Sequence, residues 1–515
     1  MTISRVYHWL ISLLLLSSLF LVGCASEESK NQETMFCDAL KRNTEISLGK
    51  ELAQVESEMR DKTGVFVLEN GGAAMITRAW LCDYAEQSID IQYFIFSSDN
   101  IGLIASDYLV RAADRGVKIR MIVDDIMVDA SVNDILTLNA HENISIKIYN
   151  PALNLGKNVF EKIGNLVTDF RSSNLRMHNK TFIVDNQVVI TGGRNIADEY
   201  FDFNRDYNFR DRDVLLLGKS VKDVNTSFET FWQSEHSVPV TDLVEEQTDT
   251  AAVAASFERL HEYACNPENF WPAIRNRIES FHQTITLMKQ SDEFYWVDSV
   301  EFVSDAPGKN DGNQGLGGGG ISTTRLIELV KNAKQSIDIQ SPYLVTTELS
   351  RGLFKEAVNR GVAIRILTNS LSSTDNLEAF AGYQKDREAL LETGVQIFEF
   401  RPDAAIRKQI MTDELQGTID YTPVFGLHSK SMVIDGTITV IGTFNLDPRS
   451  ANLNTECLTV IHSEEVTKEV AAGMEKEFLP ENAWETTLDF NPDKKVPRMK
   501  RLKTWTRKIL PKSIL

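Results

Sequence analysis

The chain lacks the residue spacings by which proteins usually hold metals and redox groups. Its five cysteines and eight histidines form no Cys-x-x-Cys and no His-x-x-x-His, and no Asp-rich loop accompanies them, so no metal or redox cofactor is expected. It is also short of positive charge. The 54 Lys and Arg residues face 73 Asp and Glu, a net charge of −19, which argues against a general nucleic-acid binder that must neutralise many phosphates. The four glycines ending at Gly320 are followed by no Lys-Ser pair, so they make no phosphate loop, and Asp311 to Gly320 reads as a flexible insertion. With 42% hydrophobic and 25% charged residues, the composition is that of an ordinary globular protein.

What the chain has is one rare pattern, twice. His178-Asn179-Lys180 is followed by Asp185, and His428-Ser429-Lys430 by Asp435 at the same spacing. Each copy runs into an apolar strand pattern (Thr181 to Val184, Ser431 to Ile434), a turn at Asp-Asn or Asp-Gly, a second apolar run, and a loop of small residues that closes on Asn195 or Asn445. In an extended chain, His and Lys two apart project from one face. An imidazole and an ammonium could then meet one phosphodiester together.

The repeat extends beyond the motifs. Gln87 to Gln92 recurs letter for letter as Gln335 to Gln340, and Arg115-Gly116-Val117 as Arg360-Gly361-Val362. Each half reads as strand, helix, strand, strand and then the His-Lys hairpin, which implies a layered α/β unit with a largely parallel sheet. Two such α/β/α repeats related by a pseudo-two-fold axis would bring the histidines together at the seam between them. The expected boundaries are 1–23 for a signal peptide, 24–64 for a linker and helix, 65–240 for the first repeat, 241–320 for the connection, 321–485 for the second repeat and 486–515 for a basic tail.

Both ends carry signals for a membrane. Arg5, the apolar stretch Leu10 to Val22 and the sequence Leu21-Val22-Gly23-Cys24 resemble a bacterial lipobox, which implies cleavage before Cys24 and its acylation. Ala25-Ser26 lacks the aspartate that marks inner-membrane retention, which favours the outer membrane in a cell with two. Of the other cysteines, Cys82 and Cys457 fall in predicted core elements, and Cys37 and Cys265 complete an even number that leaves both bridges and buried thiols open. After Asp493 no acid follows, while basic residues from Lys494 to Lys512 alternate with Trp505, Ile509, Leu510 and Ile514. That pattern suits a segment lying on anionic lipid.

On the two His-x-Lys-x-x-x-x-Asp motifs the chain resembles the phospholipase D superfamily. Ser88 to Phe96, Arg111 to Asp125, Met177 to Tyr200, Phe209 to Val214 and Leu427 to Glu456 carry a further resemblance to the bacterial cardiolipin synthases, particularly the C type. One departure is Gly193, where the superfamily commonly has serine and the second half has Thr443. The resemblance implies that one histidine attacks phosphorus while the other protonates the leaving alkoxide, with His178 as nucleophile and His428 as acid. Lys180, Lys430, Asn195 and Asn445 would bind the non-bridging oxygens. Asp213 and Glu456 would hold the imidazoles in the right tautomer, and Asp185 and Asp435 would be structural.

The expected reaction is transfer of a phosphatidyl group to phosphatidylglycerol, making cardiolipin on the periplasmic face of a bacterial membrane without nucleic acid or cofactor. Phosphatidylglycerol or phosphatidylethanolamine would be the donor, and a helper protein is a further partner of some such enzymes. Alternatives are a hydrolytic phospholipase D, an exported nuclease and a non-catalytic lipid-binding lipoprotein. Intact His, Lys and Asn in both halves speak against the last.

Overall fold

The computed structural model describes Phe36 and residues 47–125, 132–151, 174–244, 249–270, 274–275, 294–310, 317–410 and 423–515. The expected signal peptide, Cys24, Cys37 and residues 311–316 of the glycine-rich insertion lie outside the described residues.

The first half contributes β1 (Thr63–Leu68), β2 (Ser88–Tyr93), β3 (Lys118–Asp124), β4 (Ile144–Tyr149), β5 (Thr181–Val184), β6 (Val188–Gly192), β7 (Tyr207–Arg210), β8 (Asp213–Gly218), β9 (Ser237–Pro239) and β10 (Phe294–Val297). All but β7 form one sheet in the order β10-β1-β8-β6-β5-β2-β3-β4-β9. The second half contributes β11 (Ser299–Ser304), β12 (Ser336–Gln340), β13 (Ala363–Asn369), β14 (Gln396–Phe400), β15 (Val424–Leu427), β16 (Ser431–Ile434), β17 (Ile438–Gly442), β18 (Cys457–His462) and β19 (Ala483–Thr486). Its sheet has the order β11-β18-β17-β16-β12-β13-β14-β19. The connection between halves thus supplies an edge strand to each sheet, β10 to the first and β11 to the second.

The expectation of largely parallel sheets is corrected. Within the two large sheets only β2-β3-β4 and β12-β13-β14 run parallel, and the other strand pairings there are antiparallel. The cause is local. The tight turns at Asp185-Asn186 and Asp435-Gly436 have positive φ at all four residues and fold the motif strands back on themselves, and only helical crossovers allow parallel neighbours.

Helices α1 (Gly71–Tyr84) and α2 (Asn100–Asp114) cover the outer face of the first sheet with one apolar cluster. On the inner side, α3 (Val221–Trp232) lies with Val65, Ile183, Val189 and Val214 of the first sheet in a cluster that also contains Val433, Ile441 and Ile461 of the second. In the second half α4 (Ile321–Asn332) and α5 (Glu348–Asn359) take the outer positions, followed by α6 (Leu377–Leu391). The letter-for-letter repeat has a physical basis. In β2 and β12, Asp90 and Asp338 stand in register with Arg120 and Arg365 and pair with them at 2.7 Å. Gly116 and Gly361 end the preceding helices with φ of +94° and +91°, the left-handed region where a side chain is disfavoured.

Candidate active site

The seam is built by two short parallel pairings between halves. β15 pairs with β7, ending at Leu427 opposite Arg210, and Met177 forms an isolated parallel bridge with Thr455. The next residue on each side is then His428 with Asp211, and His178 with Glu456. The consequence is a crossed arrangement. His178 Nδ1 lies 2.8 Å from Glu456 Oε2, and His428 Nδ1 lies 2.6 Å from Asp211 Oδ2. Each imidazole is oriented by a carboxylate from the other half.

An ionised carboxylate only accepts, so the proton sits on Nδ1 and Nε2 presents its lone pair. Burial raises both acids, but His428 and then Lys430 hold Asp211 well below the usual carboxylate range, and His178 lowers Glu456. The imidazoles are driven the other way. Burial first, and the neighbouring lysines, bring His178 down to about 4 and His428 down to about 3. Burial also brings Lys180 down to about 7, helped by Lys430, and Lys430 down to about 8. Near neutral pH the imidazoles are therefore uncharged and Lys430 keeps its charge, and an arriving anion favours the protonated form of every one of the four groups.

His178, Lys180, His428 and Lys430 sit immediately before β5 and β16 rather than within them. Lys180 Nζ donates to the His178 carbonyl at 2.9 Å and stands 5.6 Å from the Phe94 ring centroid. Lys430 Nζ donates to the His428 carbonyl at 2.5 Å and lies 3.0 Å from His428 Nε2. Asn195 Oδ1 accepts from the Ile95 backbone N–H at 3.1 Å. The Asn445 amide oxygen is buried without a hydrogen-bond partner among the described residues, a position that asks for substrate or water.

Asp213 is not where the resemblance placed it. Its carboxylate pairs with Arg78 at 2.8 Å and Arg194 at 3.4 Å, and the carboxylate on His428 is Asp211. The ladder explains this. Gly192 faces Asp213 across β6-β8, and Gly442 faces Leu458 across β17-β18, so Asp213 corresponds to Leu458, and Asp211 to Glu456. Counting from the strand register in both halves is the signal that would have found it.

The same geometry accounts for Gly193. A Cβ there would fall 2.0 Å from Asp211 Oδ1. At the corresponding place in the second half, Thr443 Oγ1 instead donates to Glu456 Oε2 at 2.5 Å. Three aromatic rings that sequence reasoning did not assign wall the histidines. Phe94 meets His178 edge-on at 5.1 Å, and Tyr200 and Phe209 stand 5.0 and 4.7 Å from His428.

Asp185 and Asp435 lie at the hairpin turns. Asp185 accepts from the backbone N–H groups of Glu86, Gln87 and Ser88, and Asp435 from those of Lys334, Gln335 and Ser336. Cys82 and Cys457 are buried free thiols, and Cys265 is disulfide-bonded.

Two His-Lys pairs with crossed carboxylates on a pseudo-two-fold seam define a phospholipase D-type centre. The family described as "Cardiolipin synthase, PLD-like domain" matches residues 81–232 and 326–478. Cardiolipin synthase C of Escherichia coli (strain K12) is 32% identical over 443 residues, covering 84% of this chain and 88% of its own. An uncharacterised protein of Helicobacter pylori is 33% identical over 431 residues, covering 82% of this chain and 81% of its own. Among solved structures, phosphatidylserine synthase of Haemophilus influenzae Rd KW20 superposes with a TM-score of 0.57 at 13% identity, covering 90% of this chain and all of its own, a likeness of fold. The chain belongs to the cardiolipin synthase family of enzymes with phospholipase D-like domains.

Proposed function

We propose that this chain is a phosphatidyltransferase that makes cardiolipin, moving a phosphatidyl group from one phospholipid to the free glycerol hydroxyl of a phosphatidylglycerol. The observation that carries this reading is the crossed pairing of His178 with Glu456 and His428 with Asp211, within a chain of this family. His178 Nε2 forms the N–P bond as the bond from phosphorus to the leaving alkoxide breaks, and His428 gives that alkoxide its proton. The acceptor hydroxyl then returns a proton to His428 as its oxygen bonds phosphorus and the N–P bond breaks. One phosphodiester replaces another, so no nucleotide is consumed.

We take His178 as nucleophile and His428 as acid from the family resemblance, since Lys430 Nζ, 2.8 Å from Nδ1 and 3.0 Å from Nε2 of His428, works against a proton on that ring in the free site. His428 is neutral in the free site, and the charge of the bound phosphodiester raises it into use. Lys180, Lys430 and Asn445 meet the charge that builds on the non-bridging oxygens. We further assign the chain an anchor at Cys24 and a place on the periplasmic face of the bacterial envelope, on the strength of the lipobox-like segment.

The test is mass spectrometry of lipids after incubation with phosphatidylglycerol vesicles, with and without phosphatidylethanolamine, alongside H178A. Cardiolipin formed only with the intact histidine supports transfer, and the released head alcohol identifies the donor. Phosphatidic acid without cardiolipin would replace this reading with hydrolysis.

A further inference from the structure

Helix α8 (Arg498–Arg507), near the C-terminus, is amphipathic in the inverted sense. Its packed side is polar: Thr504 is fully buried, Arg507 Nε pairs with Glu378 Oε1 of α6 at 2.5 Å, and Lys500 Nζ donates to the Ser372 carbonyl at 3.4 Å. Its apolar side faces outward, with Met499 at 64%, Leu502 at 55% and Trp505 at 65% exposure. Three residues apart, these side chains spread over an arc of about 120°, flanked by Arg501 and Lys503. A helix of a soluble domain ordinarily does the opposite. The patch is concentrated as well: six of the nine exposed large apolar side chains among the described residues lie between Leu488 and Ile509.

The segment is tied to the active-site wall. Next to Ser372, the Ser373 carbonyl accepts from the Tyr207 hydroxyl, Tyr207 packs on Phe209 at 5.0 Å, and Phe209 packs on His428 at 4.7 Å. At the chain end, the Leu515 carbonyl accepts from the Arg449 backbone N–H at 3.0 Å. Arg449 lies in α7 (Pro448–Asn452), just after Asn445.

We propose that this outward stripe is a docking surface for an anionic phospholipid bilayer, and that it sets the second half's side of the active site at the level of the lipid headgroups. The charge selects the occupant. From Lys494 onward the chain carries basic residues and no acid, which attracts anionic headgroups and repels a second copy of the same stripe. This rests on the phospholipid reading above for its purpose, though not for its binding.

The test uses the full chain with vesicles whose acyl chains carry bromine, which quench tryptophans that enter the bilayer. The expected result is quenching in phosphatidylglycerol vesicles that W505F removes and that falls sharply in phosphatidylcholine vesicles. L502S lowers the affinity for phosphatidylglycerol vesicles by roughly tenfold or more, while leaving turnover of dispersed short-chain phosphatidylglycerol unchanged. Unquenched Trp505 on bound protein overturns the proposal, as does a concentration-dependent dimer that L502S abolishes. Quenching with no turnover of dispersed substrate would leave docking standing and the catalytic reading fallen.

Discussion

Replacing Gly193 by alanine tests the crossed orientation of the histidines through a single added carbon. The new Cβ would lie 2.0 Å from Asp211 Oδ1 and 2.7 Å from its Cγ, against a comfortable carbon contact of about 3.5 Å. Either the Asp211 carboxylate turns away or the loop shifts. The carboxylate is the softer element, but its position is what holds His428 at 2.6 Å. A charge-assisted hydrogen bond of this kind is worth about 1.5–3 kcal/mol, which corresponds to a fall in kcat of about 10- to 150-fold. The melting temperature should change little, because the added methyl displaces a side chain rather than opening a cavity. The assay is turnover of phosphatidylglycerol with kcat and KM separated, beside calorimetry. The loss should appear in kcat. In the D211A background the clash partner is gone, so adding G193A should cost nothing further. Full activity of G193A, or losses that multiply in the double variant, would refute the reasoning.

Lys180 is held at about 7 and Lys430 at about 8, below the ordinary lysine value of 10.5, so at pH values between these limits the unfolded chain binds more protons and stability rises with pH. K180M should therefore melt higher near pH 7, with the gain shrinking toward pH 10.5, while turnover falls about 10²–10³-fold. The histidines add a cost on the acid side. Their folded values lie below the ordinary 6.5, so stability is lost as pH falls from 6.5 through about 4 and about 3, which a urea-unfolding series across pH would read. D185A removes the acceptor of three backbone N–H groups at a residue with φ of +50°. It should lower unfolding stability by about 3–5 kcal/mol and leave kcat of the folded fraction intact, and an unchanged urea midpoint would count against the role.

Much of this protein was legible from one dimension. The duplicated His-x-Lys-x-x-x-x-Asp motif, the repeated Gln-Ser-Ile-Asp-Ile-Gln and the glycine at each helix end report local requirements: a turn of fixed length, a strand in register with an arginine, a left-handed residue. Such requirements recur at constant spacing, so a repeat exposes them together with the two-half architecture and the family. The direction of the strands was less legible, because the hairpin places antiparallel neighbours beside β2 and β12 that helix-strand alternation does not announce. Asp211 was missed because its partner, His428, is 217 positions away in the other half. Asp213, two residues along and inside the strand, carries the same side chain, and only the parallel pairing of β15 with β7 separates them. Tertiary structure alone decided that each histidine is served by the opposite half, that Gly193 is the space Asp211 occupies, and that α8 turns its apolar side to solvent. Each depends on which surfaces meet, and composition and spacing carry no record of that.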